Sequence, residues 1–180
     1  MSRFRPSAAG PVAILLYSAC TAAACAAQDP ANRSSADESM GVDEEVARDI
    51  ERIRTATAAF RSLDSAVAAG YSRDGGACLD NPPEGAMGYH HVNEALLDDR
   101  IEVERPEMLV YERLPDGEYR LNGVEYIVPF SAVPPTAEPP TVMGRPLRAS
   151  ASLEIWYRHV WVWRDNPSGM FADWNPNVEC

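Results

Sequence analysis

At 180 residues the chain is long enough for one domain with a buried core and short for two. Its 27 acidic against 16 basic residues give a formal net charge of −11, which disfavours nucleic acid and anionic lipid headgroups as partners.

The first 27 residues, "MSRFRPSAAGPVAILLYSACTAAACAA", put Arg3 and Arg5 ahead of an apolar run and then a series of small residues. That is the layout of a bacterial export signal, and the apolar stretch is short and alanine-rich for a membrane span. Cys20 and Cys25 each follow small residues and are candidate lipidation sites, although neither has the leucine usual three places upstream. Removing residues 1–27 removes two arginines and no acid, so the charge becomes −13. Residues 28–41 are polar and turn-rich and read as a flexible tether to a single α+β domain at 42–180. The expected location is the cell envelope, periplasmic or lipid-anchored, or the exterior. Any membrane contact would run through the N-terminal lipid.

From Asp43, apolar positions recur at spacings of three and four: Val46, Ile50, Ile53, Thr57, Phe60, Leu63 and Val67. This predicts one long N-terminal helix with Asp43 as its cap and Gly70 as its stop. Asp64 lies beside the stripe, as a cap or a salt-bridge partner. A glycine- and proline-rich loop follows, then "YHHVN" as a short strand and "EALLDD" as a helical turn. "EMLVYERL" and "YRLNGVEYIVPF" flank an Asp116–Gly117 turn and predict a β-hairpin. Residues 131–148 carry five prolines and read as an extended surface excursion that need not be ordered. "SLEIWYRHVWVWRDN" returns to strand, and the tail is irregular but aromatic. The fold expected is α+β, the helix packed on a small antiparallel sheet, with a proline-rich excursion and a disulfide-tied tail.

Cys78 and Cys180 lie outside the export segment, and two cysteines in an oxidising compartment read as one disulfide. Closing a loop of about 100 residues contributes roughly 4–5 kcal/mol in the chain-entropy treatment. The alternative is a thiol pair in a metal site, without the usual CxxC spacing.

Chemistry concentrates around the three histidines. His90 and His91 cannot serve one site from a strand, since adjacent side chains point to opposite faces. On a strand, His159 shares a face with Tyr157, Trp161 and Trp163, and Glu125 shares a face with Leu121, Gly123 and Ile127. An acid on an apolar strand face needs a partner, and a histidine from a neighbouring strand would supply it. His90 or His91, His159 and Glu125 thus form a coherent two-histidine, one-carboxylate set for zinc, copper or iron. Tyr89, Trp161 and Trp163 are expected to wall a ligand site. The competing reading makes the histidines satisfied core residues of an interaction module bound to an envelope protein. A metal-dependent enzyme is the third reading, because neither a GxSxG motif nor a free nucleophilic cysteine is present.

The segments "GAMGYHHVN", "GVEYIVP" and "HVWVWRDNPSGMFADWNPNVEC" resemble an uncharacterised family of exported bacterial proteins and lipoproteins. That family carries Gly-Met-Gly-x-His-x-x-Asn, Val-Glu-Tyr and a His-Val-Trp … Asn-Pro-x-Gly-Met-Phe ending before a terminal cysteine. The likeness runs from about Phe60 to Cys180. It implies export and a shared site, favours His90 over His91, and names no ligand.

Overall fold

The computed structural model describes residues 30–180, with side chains from residue 44 onward. The export segment and the candidate lipidation sites Cys20 and Cys25 lie outside the described residues.

The predicted apolar stripe does form a helical layer, but in pieces and with earlier bounds. Helix α1 spans Pro30–Thr57, so it starts ahead of Asp43 and takes in most of the stretch read as a tether. It follows the first 29 residues and does not open the chain. Proline is favoured in the first helical turn, where its missing N–H is no loss. After Thr57 the chain tightens into a 3-10 turn at Ala58–Arg61 and resumes as α2, Leu63–Ala68. The break coincides with Thr57, whose hydroxyl donates back to the Ile53 carbonyl at 2.7 Å, a bond that bends helices. Ser62 then caps α2, and Gly70, at φ 103°, ends it. Asp64 is exposed and pairs with Arg73 at 2.9 Å.

Six strands make the main antiparallel sheet: β1 (Leu79–Asp80), β2 (Ala86–Val92), β3 (Met108–Arg113), β4 (Tyr119–Pro129), β7 (Arg148–Ser150) and β8 (Ile155–Val160), in spatial order β1-β2-β3-β4-β8-β7. The Asp-Gly turn joins β3 and β4 as the sequence predicts, with Gly117 at φ 89°. The proline-rich excursion is ordered. It carries a small hairpin of β5 (Thr141–Val142) and β6 (Arg145–Pro146), and buries Val142, Met143 and Leu147 in the core.

One face of the sheet meets the helices. Leu109, Tyr111, Val124, Tyr126, Val128 and Trp156 share a core with Ile53 and Ala66, against which Phe60 and Leu63 pack. The Trp163 indole donates to the Thr57 hydroxyl at 3.0 Å and Arg54 to the Val162 carbonyl at 2.9 Å, tying α1 to the chain beyond β8. The other face is left for the tail and the loops. A register shift at Val110/Tyr111 sets Gly123 opposite Val110 but Leu121 opposite Tyr111. Leu121 therefore joins the helix-side core, although plain alternation places it with Glu125.

Candidate metal centre

The helix-free face carries the polar centre. Glu125 on β4 lies directly opposite His159 on β8 in the antiparallel register, so both side chains leave the same face. His90 comes from β2 and spans β3 to reach them. Gly88, two residues earlier, has φ 109°, and a Cβ there would fall 2.3 Å from the Tyr111 carbonyl oxygen. Only glycine lets β2 lie this close to β3, and that closeness sets the reach of His90.

The two Nε2 atoms of His90 and His159 are 3.2 Å apart, and each stands 3.6 Å from Oε2 of Glu125. All three side chains are largely buried, at 13 %, 3 % and 7 % exposure for His90, His159 and Glu125. A triangle with sides 3.2, 3.6 and 3.6 Å has a point about 2.0 Å from each corner. Zinc and similar ions bind imidazole nitrogen and carboxylate oxygen at roughly 2.0–2.2 Å. An ion at the usual distance could therefore be held by all three atoms at once. The three groups can hold a metal ion without rearrangement.

Electrostatics fit that use. Burial, helped by His159 and His91, pushes the His90 imidazole down to about 3, so it is neutral with a lone pair to give. Burial also pulls on His159, but the Glu125 and Asp173 carboxylates outweigh it and hold this imidazole above its ordinary value. Burial raises Glu125 and His159 opposes it. Both shifts favour the protonated form of these two groups, and binding a metal there would compete with that proton.

Asp173 completes the arrangement from the tail. Its Oδ1 lies 3.8 Å from Nδ1 of His159, the ring nitrogen turned away from the centre, and that buried nitrogen has no hydrogen-bond partner. Asp173 is in turn held by Arg148 and by the Tyr157 hydroxyl at 3.3 Å. Burial pushes the Asp173 carboxyl up, but His159, Arg148 and Tyr157 together bring it below its ordinary value. A carboxylate behind a histidine fixes the ring orientation and raises its basicity toward a metal. Sequence reasoning misses Asp173, which lies in the irregular tail, and Arg148, which lies on a three-residue strand too short to show alternation.

A cavity of about 370 Å³ opens onto the centre, with His90, Glu125 and His159 in its lining. Its walls are mostly aliphatic: Met87, Met108, Ile127 and Ile155, with Tyr157 as the aromatic member. The expected ligand-binding residues Tyr89, Trp161 and Trp163 do not line it. Tyr89 lies on the opposite face of β2 from His90 and packs edge-on against Tyr119. β8 ends at Val160, so the alternation that placed the tryptophans beside His159 lapses there. Trp161 still stacks on His159, with centroids 6.2 Å apart, but it packs with Ala86 and Val178. Trp163 turns to α1. His91, expected to be outside the site, is fully buried on the core side and binds the Ser72 carbonyl through Nδ1 at 2.8 Å.

Cys78 and Cys180 form the expected disulfide, across 102 residues. Among the described residues, no helix is long and apolar enough to cross a membrane. No family model, curated protein or solved structure matches the chain.

Proposed function

We propose that this protein binds one transition-metal ion through Nε2 of His90, Nε2 of His159 and Oε2 of Glu125, in an exported domain of the cell envelope. The observation that carries this reading is the common point about 2.0 Å from all three donor atoms. The donor set suits zinc or ferrous iron, with copper as a further candidate. Three protein ligands beside an open cavity resemble an exchangeable or catalytic site more than a closed structural one. The disulfide supports export, because such bonds persist in oxidising compartments and are rare in the cytosol. The resemblance of the C-terminal motifs to exported lipoproteins points the same way.

As a structural histidine pair the centre would be poorly made. The two Nε2 atoms share a hydrogen bond at 3.2 Å, yet the buried Glu125 oxygen stands 3.6 Å from both, outside hydrogen-bond distance, and the buried Nδ1 of His159 has no partner.

Elemental analysis tests the proposal on oxidised protein purified without a polyhistidine tag, beside His90→Ala and His159→Ala. The expected result is about one equivalent of metal in the parent and loss from both variants. Failure to take up zinc, iron or copper on reconstitution would overturn it.

A further inference from the structure

The cavity above the metal centre is lopsided. At its floor stand His90, Glu125 and His159, and the rest of its lining is almost wholly apolar. Outside those three, only Ser150 and Tyr157 bring polar side chains to it, and the Tyr157 hydroxyl is committed to Asp173. A ligand with polar groups along its body would leave them buried and unpaired here.

The mouth repeats the pattern. Among the described residues, the only large hydrophobic side chains that stand exposed are Leu79, at 45 %, and Leu153, at 66 %. One lies on β1 and the other in the turn before β8, far apart in sequence, yet both line this cavity. Scattered exposed leucines are ordinary on a protein surface. Two from separate elements that both line one apolar cavity give its solvent-facing part an apolar character as well.

Charge fixes the other end of the ligand. With Asp173 cancelled by its partner Arg148, a divalent ion bound by two neutral imidazoles and one carboxylate leaves a net charge of +1 in a buried site, which is costly unless an anion meets it. A single negative donor atom completes the coordination and cancels that charge. We infer that the cavity binds a monoanionic amphiphile, whose carboxylate-type head ligates the metal while its aliphatic chain lies along Met87, Met108, Ile127 and Ile155 toward Leu79 and Leu153. A volume of about 370 Å³ is in the range of small-molecule sites and suits a medium-length chain. This inference rests on the metal-binding reading above.

The test uses the oxidised full chain loaded with cobalt(II), whose visible bands report its coordination, titrated separately with butanoate, octanoate and 1-octanol. Octanoate is expected to change the cobalt bands and to bind on the order of a hundredfold more tightly than butanoate, since each buried methylene contributes about fourfold. Octanol, without the anionic head, should leave the bands unchanged. Leu153→Asp, at an exposed position, should keep its cobalt and bind octanoate at least about tenfold more weakly. Equal affinity for butanoate and octanoate, or an equal response to octanol, would overturn the amphiphile and leave the metal site standing. Failure to bind cobalt at all would remove the metal site and the inference with it.

Discussion

Glu107 offers a quantitative test of the core on which the centre is built. It precedes β3, is 2 % exposed, and accepts the Ile127 amide through Oε2 at 3.0 Å. Burial raises its carboxyl to about 8 from 4.5, with Asp98 and Glu102 adding a little and the amides of Ile127 and Glu107 opposing. The folded protein therefore holds a proton here that the unfolded chain releases at lower pH. Between about pH 4.5 and pH 8 Glu107 carries a proton in the native state that it has lost in the unfolded state, so its contribution to stability falls as pH rises through that window. It is fully present below the lower value and fully lost above the upper one. At about 1.4 kcal/mol per pH unit, the window sets a ceiling of roughly 5 kcal/mol. Glu107→Gln keeps an acceptor for the Ile127 amide and removes the titration. Denaturant unfolding of oxidised, chelator-treated protein, followed by tryptophan fluorescence, compares parent and variant across that range. The two should be nearly equal at the acid end, and the variant more stable by a few kcal/mol at the alkaline end. An offset that does not change with pH would refute the assignment of a buried neutral carboxyl.

The metal centre yields two more expectations. Asp173→Asn removes the charge behind His159 but leaves all three ligands, so metal affinity should fall about 10–100-fold in competition with a chelating dye, without loss of stoichiometry. Unchanged affinity would show that the tail carboxylate does not support the site. Gly88→Ala puts a Cβ against the Tyr111 carbonyl at φ 109°, and should cost about 1–3 kcal/mol in thermal or denaturant unfolding while weakening metal binding. A variant that loses stability but binds metal as before would separate His90 from the closeness of β2 to β3.

The members of the candidate metal site are readable in the chain because strands have a period of two and the chain has few histidines. Glu125 stands among apolar neighbours, and His159 lies directly across from it, so alternation alone suggests that they meet. The same rule sets His90 and His91 on opposite faces but does not say which of them joins the pair. The rule fails where strands stop or slip. Trp161 and Trp163 lie beyond the end of β8, and the register shift opposite Tyr111 turns Leu121 away from the face of Glu125. Tyr89 is adjacent to His90, so alternation already places it on the other face. Asp173, Leu79 and Leu153 come from a tail, an edge and a turn, and no local periodicity reports where tertiary packing brings such residues. The helix is visible from its apolar stripe, but its start at Pro30 is not, since the residues there show no apolar periodicity in the sequence.

The bond between Cys78 and Cys180 has a topological consequence. His90, Glu125, His159 and Asp173 all lie between those two cysteines, so the whole centre belongs to one covalent ring. One wholly exposed part of that ring is the stretch at 134–138, between β4 and β5. A single backbone cut there opens the ring without separating it. The His90–Glu125 segment and the His159–Asp173 segment remain one molecule, joined through sulfur where the peptide bond has gone. In a compartment exposed to proteases, the centre is therefore assembled on a chain that one nick cannot divide.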